Sequence, residues 1–402
     1  MAFTRRRRIF GSRSQKHYSN GSGNNFGGGR GQNKIRYMRV DPLMLIKKAQ
    51  PQLISEYDSK NSFADFNLDT IIYKNLTHKG YKSPTPIQDR VIGEIMAGGD
   101  VLGLAATGTG KTAAFLLPII HKLINNRDQR AIIITPTREL AVQIIDEIKA
   151  FTFGSRCYFT LIIGGVDIRR QIRELARNPQ IVVGTPGRIK DLTDRGGLKL
   201  EQYQTIVLDE VDRMLDMGFI GEITRLIGKL PRVRQSLFFS ATMSDKARQI
   251  ASRFLLNPVT VQVETQRASD NVDQDVVRVA NRNKIDVLRE LLTKPGFDKV
   301  LVFGRTKRGM DRLSRNLFEK GFKTAAIHGN KSQSQRQRAL DAFKNNRVQV
   351  LVATDVAARG IDIDDVTHVI NYELPETYDD YIHRIGRTGR ADKTGVALTF
   401  ID

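Results

Sequence analysis

The chain reads Ala105-Ala106-Thr107-Gly108-Thr109-Gly110-Lys111-Thr112 between an apolar run, Val101–Leu104, and a helical pattern at residues 113–124. The two glycines let backbone N–H groups converge on an anion at the positive end of the following helix. Lys111 can then reach the β- and γ-phosphates, and the Thr112 hydroxyl can bind Mg²⁺. A plain glycine-rich turn is the alternative, and the strict pattern has Gly where this chain has Ala105. Because strand, loop, Lys-Thr pair and helix occur together, residues 107–112 predict a nucleotide site.

Length and charge narrow the class of protein. The 402 residues suffice for two or three domains, of which two is the better prediction. The chain has 64 Lys and Arg against 43 Asp and Glu, a net charge of +21, which indicates a polyanionic partner, either nucleic acid or an anionic membrane surface. Nucleic acid is favoured because no apolar run approaches the roughly 18 residues of a membrane span. The single cysteine, Cys157, fits a reducing cytosol and predicts a cytoplasmic protein without internal disulfides or a Cys-based zinc site.

The N-terminal 60 residues differ from the rest in composition. Residues 1–36 carry nine basic and no acidic residues among many Gly, Ser and Asn, so we expect a disordered basic tail. Such a tail can contact RNA nonspecifically, and a merely solubilising tail is the alternative. Residues 37–60 form a short extension with a helical candidate at 43–49, to which the sequence assigns no role.

From residue 61 onward, apolar runs alternate with amphipathic helical stretches. This alternation predicts an α/β fold with mostly parallel sheets and helices on both faces. The pattern is interrupted once by a polar stretch, so we expect a first domain at 61–263, a linker at 264–273 and a second domain at 274–402. The predicted strands are 101–104, 131–134, 159–163, 181–183, 205–208, 236–239, 276–279, 300–303, 324–327, 348–352, 368–370 and 396–400. The second unit has no phosphate loop of its own, so one nucleotide site must serve both.

Two acids follow the apolar run Thr205–Leu208. Asp209 and Glu210 then lie at the carboxyl end of a buried strand, where ligands of open α/β sheets gather. Asp209 suits Mg²⁺, and Glu210 suits positioning and deprotonating an attacking water. Acidic turns after strands are common, but the loop at 105–112 favours the catalytic interpretation.

Two further strand ends carry the same helix start. Thr135-Pro136-Thr137-Arg138 and Thr185-Pro186-Gly187-Arg188 place Thr at the N-cap and Pro at the first helical position. Capping alone would explain one such start. Two, each with Arg at the same offset, indicate helix N-termini directed at successive phosphates of a nucleic-acid strand. Gly164-Gly165 could approach another phosphate, and a plain turn explains that pair equally well.

Near the C-terminus, residues 383–390 read His-Arg-Ile-Gly-Arg-Thr-Gly-Arg, which spaces Arg384, Arg387 and Arg390 by three. On a helix this spacing clusters the three charges toward one face. Because like charges repel, the cluster predicts an anion on which they converge, and the nearest candidate is the nucleotide of the first domain. Residues 352–362 end another predicted strand with a polar, glycine-containing loop.

Taken together, these motifs resemble those of DEAD-box RNA helicases, with two RecA-like domains in tandem, over residues 63–402. The stretch from Gly80 to Gln88 matches the adenine-reading motif of that family, with Phe63, 17 residues upstream, as the stacking aromatic and Gln88 as the hydrogen-bonding partner. Ala105 at the first loop position is also typical of the family. Val211 replaces the Ala that gives the family its name, and because both side chains are apolar we expect activity to persist with local repacking.

The resemblance implies a role for each matched residue. The catalytic group comprises Lys111, Asp209 and Glu210, with Arg387 and Arg390 as arginine fingers. The nucleotide group comprises Phe63, Gln88, Thr107, Gly108, Thr109, Gly110, Lys111, Thr112, Gly360 and Asp362, with Thr112 and Asp209 also binding the metal. The RNA group comprises Pro136, Thr137, Arg138, Gly164, Gly165, Thr185, Pro186, Gly187, Arg188, Thr306, Gly329, Arg336 and Thr354. Arg305 lies where the family varies and is expected to add a phosphate contact. The coupling group comprises Asp212, Ser240, Thr242 and His383.

The resemblance implies an ATP-dependent RNA helicase that uses ATP and Mg²⁺ and closes its two domains over single-stranded RNA with weak sequence preference. We expect a monomer that contacts no membrane, with RNP or ribosome-assembly proteins as candidate partners. An ATP-gated RNA clamp or assembly scaffold that unwinds little is one alternative. A DNA helicase is another, because RNA and DNA share phosphates and differ at the 2′-hydroxyl. A small-molecule P-loop kinase is disfavoured by the arginines of the second domain.

Overall fold

A computed structural model describes residues 45–50, 57–106, 108–263, 268–358, 363, 365–389 and 393–401. All of these residues belong to one structural unit, residues 38–402. The predicted tail at 1–36 and the residues at 37–44 and 51–56 lie outside the described parts of the chain. The strands of the first half are β1 Val101–Leu104, β2 Ala131–Ile134, β3 Phe159–Ile162, β4 Ile181–Gly184, β5 Thr205–Leu208, β6 Gln235–Ser240 and β7 Val259–Gln262. Those of the second half are β8 Val272–Arg278, β9 Val300–Phe303, β10 Thr324–Ile327, β11 Val350–Ala353, β12 His368–Asn371 and β13 Gly395–Ile401.

Helices follow most of these strands and cover the two faces of each sheet. In the first half they are α1 Thr70–His78, α2 Pro86–Met96, α3 Lys111–Asn125, α4 Arg138–Phe151, α5 Ile168–Ala176, α6 Pro186–Asp194, α7 Val211–Asp216, α8 Ile220–Ile227 and α9 Asp245–Phe254. In the second half they are α10 Lys284–Leu292, α11 Lys307–Glu319, α12 Gln333–Lys344, α13 Asp355–Ala358 and α14 Tyr378–Ile385. Short 3₁₀ turns occupy Leu200–Gln202 and Ala268–Asn271.

The first sheet has the strand order β3-β4-β2-β5-β6-β1-β7, and every pair in it is parallel. Its central strands are apolar throughout because helices bury both faces. Successive side chains of a strand point to opposite faces, so Ile133 joins one core cluster while Ile132 and Ile134 join the other. The sheet thus has a hydrophobic core on each side.

The second sheet is also parallel, with the order β10-β11-β9-β12-β13-β8. It repeats the same layering: Val300 and Val302 pack on one face, and Leu301 and Phe303 pack on the other. The predicted α/β class, with two sheets covered by helices on both faces, is therefore confirmed.

The prediction missed one strand and placed the start of another too late. Strand β7 was not predicted, because only Val261 of its four residues is buried and the run lacks a continuous apolar pattern. Strand β8 begins at Val272, four residues before the predicted strand at 276–279 and inside the stretch that the sequence assigns to the linker. Of that predicted linker, residues 264–267 lie outside the described residues.

The helical prediction for residues 43–49 is wrong where the structure describes it. Lys47 forms an antiparallel bridge with Gln274 of β8, the edge strand of the second sheet. Residues 45–50, which we call the strap, therefore run beside that edge. Leu45 lies in a 3₁₀ turn, Lys47 forms the bridge, and residues 46 and 48–50 are not helical. The apolar pattern that favoured a helix reflects Leu45, whose side chain is fully buried.

Cys157, the single cysteine of the chain, is a free thiol beside the first core. Burial raises the pKa of this thiol to about 12. In the described parts of the chain, no helix has the length and apolar character needed to cross a membrane.

Candidate functional site

The phosphate loop lies at the carboxyl end of β1 and leads into α3. Gly108 and Gly110 adopt φ values of +88° and +91°, a left-handed conformation that glycine takes without a Cβ clash. The Lys111 ammonium donates to the Ala105 carbonyl oxygen at 2.7 Å, so its charge lies over the loop. The Thr109 hydroxyl donates to the Ala106 carbonyl oxygen at 2.8 Å. Thr112 lies in the first turn of α3, and the predicted site residue Thr107 lies outside the described residues.

Gln88 holds the phosphate loop from the start of α2. Its Nε2 donates to the Gly110 carbonyl oxygen at 3.1 Å, and its Oε1 accepts from the Thr85 backbone N–H at 3.0 Å. The Thr85 hydroxyl donates to the Thr109 carbonyl oxygen at 2.8 Å. A Cβ at Gly110 would lie 2.4 Å from Gln88 Nε2, so this contact requires glycine. The residue predicted to read the adenine is thus also bonded to the loop predicted to hold the phosphates.

Phe63, the other predicted adenine contact, packs beside the same helix. Its ring meets Tyr81 edge to face, with centroids 6.0 Å apart, and only 4% of the residue is exposed. The structure therefore brings Phe63, Gln88 and the phosphate loop into one half of the first domain, as the sequence predicts.

The two predicted catalytic acids follow β5 in a tight turn. Glu210 has φ +53°, the left-handed conformation, and its backbone N–H donates to Asp209 Oδ1 at 3.0 Å. Burial raises the pKa of the Asp209 carboxyl to about 7; Lys111 opposes this shift and Glu210 adds to it. A buried carboxyl next to a phosphate loop is suited to a cation, because a positive charge there would favour its ionised form.

Glu210 has a partner that the sequence reasoning missed. Arg213 of α7 donates to Glu210 Oε2 at 2.7 Å, and both side chains are more than nine-tenths buried. Spacing of three on a helix was the signal that could have found this pair. The ion pair fixes the carboxylate that the sequence assigns to the attacking water.

Three of the four predicted coupling residues form one hydrogen-bonded cluster. Asp212 Oδ2 accepts from the backbone N–H of Thr242 at 2.9 Å and from its hydroxyl at 3.2 Å. The Ser240 hydroxyl accepts from the Asp212 N–H at 3.2 Å and donates to the Thr242 carbonyl at 2.7 Å. Residues at the ends of β5 and β6 are therefore locked together beside Asp209 and Glu210.

The predicted RNA residues of the first domain also meet. The Arg138 guanidinium lies against the Gly164-Gly165 backbone so closely that a Cβ at Gly165 would be 2.4 Å from Arg138 Nη1. Arg188 donates to the Val166 carbonyl at 3.0 Å. The two glycines thus allow Arg138 to approach the backbone closely. Neither the phosphate contact nor the plain turn considered from the sequence included this role. The remaining residues of the set lie at the two helix starts. Thr185 is the N-cap of α6 and Pro186 its first residue, as predicted. The same prediction is wrong for Thr135 and Pro136, because α4 begins two residues later, at Arg138, and Thr137 caps it by accepting from the Leu140 N–H. The other members of those starts are Pro136, Thr185, Pro186 and Gly187.

The second domain contributes one wall of a cavity of about 650 Å³. Predicted RNA residues Arg305, Gly329 and Thr354 line it together with the predicted coupling residue His383, and Asp216 of α7 lines it from the first domain. Thr306 lies beside Arg305 and caps α11 by accepting from the Gly309 N–H at 3.1 Å. The cavity therefore lies mainly in the second domain and reaches the first through Asp216.

Arg336, predicted to contact RNA, lies in an ion pair between the two domains. Its Nη2 is 2.7 Å from Oε2 of Glu139, which follows Arg138 at the start of α4. Gln333 of α12 donates to the same carboxylate at 3.3 Å. Arg336 and Glu139 are 7% and 2% exposed, so the pair is desolvated. Glu139 was missed because its partner lies almost 200 residues away in the chain.

The arginines of α14 and its following turn have different surroundings. Arg384 donates to both carboxylate oxygens of Asp355, at 2.5 and 2.8 Å, and to Asn371 and the Glu373 carbonyl. It is 1% exposed, so the prediction that all three arginines converge on one anion is wrong for Arg384. Arg387 Nε donates to the His383 carbonyl at 3.2 Å. Arg390, Gly360 and Asp362 lie outside the described residues.

Comparisons with known proteins agree with this geometry. Residues 85–250 match the DEAD/DEAH box helicase family, and residues 283–392 match the helicase conserved C-terminal domain. The chain is similar to the ATP-dependent RNA helicase CshA of Listeria monocytogenes, with 47% identity over 84% of this chain and 66% of that protein. It therefore spans about two thirds of the length of that relative.

Similarity extends to a second curated relative and to solved structures. CshA of Geobacillus kaustophilus, a DEAD-box ATP-dependent RNA helicase, is 45% identical over 85% of this chain and 73% of its own. The structure of S. cerevisiae Dbp5 bound to RNA and ADP BeF3 aligns with a TM-score of 0.74 and 33% identity, covering 85% of this chain and 89% of Dbp5. With both parallel sheets, the phosphate loop and the paired acids in place, the chain belongs to the DEAD-box family of ATP-dependent RNA helicases.

Proposed function

We propose that this protein couples ATP hydrolysis to RNA binding and uses the cycle to open short duplexes or remodel ribonucleoproteins. The observation that carries the proposal is the Arg336–Glu139 pair, which joins α12 of the second domain to the α4 start of the first. It brings Arg336 next to Arg138, so predicted RNA residues of both domains face one path. Binding along that path would favour the arrangement in which both domains also flank the nucleotide.

ATP is held by the first domain. Lys111 and the loop N–H groups bind the phosphates, and Gln88 and Phe63 bind the adenine. Mg²⁺ fits the donors at this site: the Asp209 carboxylate and Thr112 hydroxyl are oxygen ligands of the kind Mg²⁺ takes together with phosphates and water. When bound, Mg²⁺ neutralises charge on the transferring phosphate.

Hydrolysis needs a base and a counter-charge. Glu210, held by Arg213, orients the attacking water and accepts its proton. Arg387 and Arg390 approach the γ-phosphate from the second domain, so the site is complete only when the two domains are closed. The Asp212–Ser240–Thr242 cluster, together with His383, couples this closure to the RNA path.

RNA is held mainly through phosphate and ribose contacts, so sequence preference is weak. The RNA-contacting residues come from both domains: Arg138, Gly164, Gly165 and Arg188 from the first, and Arg305, Thr306, Gly329, Arg336 and Thr354 from the second. We further propose a monomer in the cytoplasm that contacts RNP or ribosome-assembly proteins. Its first domain takes the predicted bounds 61–263, and its second begins with β8 at Val272, two residues before the predicted 274. The single cysteine supports a reducing compartment.

The test is an ATPase titration with RNA, run beside release of a short labelled duplex. We expect turnover to rise with RNA and to saturate, and the duplex to be released only with ATP. Single-stranded DNA of the same sequence is the matched control and should stimulate less. Turnover without duplex release would instead support the clamp, an alternative that the names of the relatives do not favour. Equal stimulation by DNA would contradict the assignment to RNA.

A further inference from the structure

The strap, residues 45–50, is fastened to the element that precedes the arginines of the second domain. The Lys47 backbone exchanges hydrogen bonds with Gln274, at 3.0 and 2.7 Å. The Lys47 ammonium and the Gln50 N–H bind Asp270 at 2.7 and 2.8 Å, and the Ala49 N–H binds Asp273 at 2.9 Å. Backbone and side-chain hydrogen bonds thus hold the strap to the first residues of the second domain.

Leu45 adds an apolar contact to the arginine helix itself. Its fully buried side chain packs in a cluster with Val272, Tyr381, Ile385 and Ala397. Tyr381 and Ile385 are one turn apart on α14 and lie on either side of His383 and Arg384 in the sequence. Removal of Leu45 would therefore leave a void directly against the helix that leads to Arg387.

A second connection runs through a buried hydrogen bond. The Tyr381 hydroxyl donates to Gln274 Oε1 at 3.1 Å, and both residues are at most 4% exposed. Gln274 is the residue whose backbone pairs with Lys47. The strap thus reaches α14 by two routes, one apolar through Leu45 and one polar through Gln274.

The turn after α14 rests on the same support. Gly389 has φ +66°, and a Cβ there would lie 2.8 Å from Val272 Cγ2 and 2.9 Å from the Asn271 carbonyl oxygen. Asn271 and Val272 lie between the strap contacts Asp270 and Asp273. Both the helix before Arg387 and the turn after it therefore pack on the segment to which the strap is fastened.

We propose that the strap positions residues 383–389, which include Arg387, for hydrolysis, with Leu45 as the main positioning residue. The inference rests on the proposed catalytic role of Arg387. The strap precedes Phe63, where the motifs that resemble the family begin. It acts through α14 and Gly389.

The test compares two substitutions at neighbouring strap positions in the full chain. Leu45→Asp places a charge in the buried cluster and should release the strap. Ile46→Asp, at a side chain 50% exposed, is the matched control. A misplacement of a catalytic group by about 1 Å can cost about 100-fold in rate. Because Leu45 acts on Arg387 only through α14, we expect Leu45→Asp to lower kcat at saturating RNA by roughly tenfold. Ile46→Asp should stay within about twofold, and ATP affinity without RNA should be unchanged in both, because the loop lies in the first domain.

A double variant separates positioning from general damage. In an Arg387→Ala background, Leu45→Asp should lower kcat little further, because the group it positions is gone. A loss in the double variant equal to the product of the single losses would overturn the inference. Tyr381→Phe provides a second probe that removes only the hydroxyl contact with Gln274. It should lower kcat by roughly two- to tenfold, the value of one buried hydrogen bond.

These measurements distinguish a failure of the strap inference from a failure of the proposed function. Near-normal kcat for Arg387→Ala would overturn the arginine role in the proposed function. A defective Arg387→Ala beside a normal Leu45→Asp would overturn the strap inference alone. Leu45→Met, which fills a similar volume, should restore kcat to within about twofold of the native chain.

Discussion

Gly110 is constrained twice, by its φ of +91° and by the approach of Gln88. Gly108 shares the positive φ, but a Cβ there would meet nothing within 4 Å. Alanine at either position costs about 1–2 kcal/mol of conformational strain, and at Gly110 it also displaces Gln88. We therefore expect Gly110→Ala to weaken ATP binding at least about tenfold more than Gly108→Ala, measured by titration with a fluorescent ATP analogue. Equal losses would show that the Gln88 contact does not hold the loop.

Asp209 makes the nucleotide-free protein sensitive to pH. Its folded pKa, near 7, lies above the usual value for an unfolded Asp, so the folded state keeps a proton that the unfolded state releases as pH rises through 4 to 7. Stability from this group is thus present at low pH and lost toward pH 7. Asp209→Asn should melt higher than the native chain at pH 8 without nucleotide, by a few degrees, and the gap should narrow at pH 5. An equal difference in melting temperature at pH 8 and at pH 5 would contradict the effect of burial on the Asp209 pKa.

At single positions, the sequence predicted residue types better than partners. Asp212, Ser240 and Thr242 were assigned together and meet in the structure, because each ends a strand of the same parallel sheet. Arg336 was assigned from the resemblance and Arg384 from charge and spacing, and the structure pairs both with buried or half-buried carboxylates. Glu139 and Asp355 neutralise them from distant parts of the chain, and no local pattern carries such pairings. Val211 is fully buried, as expected for an apolar replacement of Ala.

Among the elements, strands in the middle of a sheet were the most predictable. Helices bury both of their faces, so β1, β2, β5 and β9 follow the apolar runs residue for residue. The edge strand β10 does so too, but two other edge elements were mispredicted. Strand β7 is mostly exposed, and the strap paired with Gln274, which overrode its helical pattern.

Helix α14 depends on the bidentate pair that Arg384 forms with Asp355. Arg384→Met leaves that carboxylate and the Glu373 carbonyl without their donor, so we expect it to destabilise the second domain by about 3 kcal/mol. Arg289→Met is the matched control: this Arg also pairs with an Asp, at 3.0 Å, but is 38% exposed, and its removal should cost less than about 1 kcal/mol. Urea denaturation of the two variants measures the difference. Similar midpoints for both would contradict the structural role of Arg384.

For the molecule as a whole, the Glu139–Arg336 pair links the two sheets. Glu139→Gln removes the countercharge of the buried Arg336, which costs about 3–5 kcal/mol. This is enough to change the ratio of closed to open domain arrangements more than 100-fold. We expect a larger radius of gyration in solution scattering without RNA, and weaker RNA binding. Glu147→Gln, on the same helix but paired with Lys79 of the same domain at 2.8 Å, should change neither. An unchanged radius for Glu139→Gln would show that the pair does not hold the domains together.

The charge of the N-terminal tail sets a second prediction at this scale. Deleting residues 1–36 removes nine basic residues, and we expect weaker RNA affinity with kcat at saturating RNA nearly unchanged. On a single strand, each phosphate that the protein no longer neutralises lowers the log–log salt slope by about 0.7, so three engaged arginines would change it by roughly two. RNA affinity measured across a salt series gives this slope. No change in slope would assign the tail to solubility.

The half-buried thiol of Cys157 has a consequence for following the motion of this molecule. With its pKa near 12, almost none of it is thiolate at neutral pH, and thiol-directed dyes attack only the thiolate. Cysteines introduced on exposed helices, one in each domain, would therefore take up fluorophores while the native sulfur stays unmodified. The distance between such a pair could be followed through a full cycle of nucleotide and RNA binding in an otherwise unaltered chain. Reaction at Cys157 itself would then report a local unfolding of the first domain.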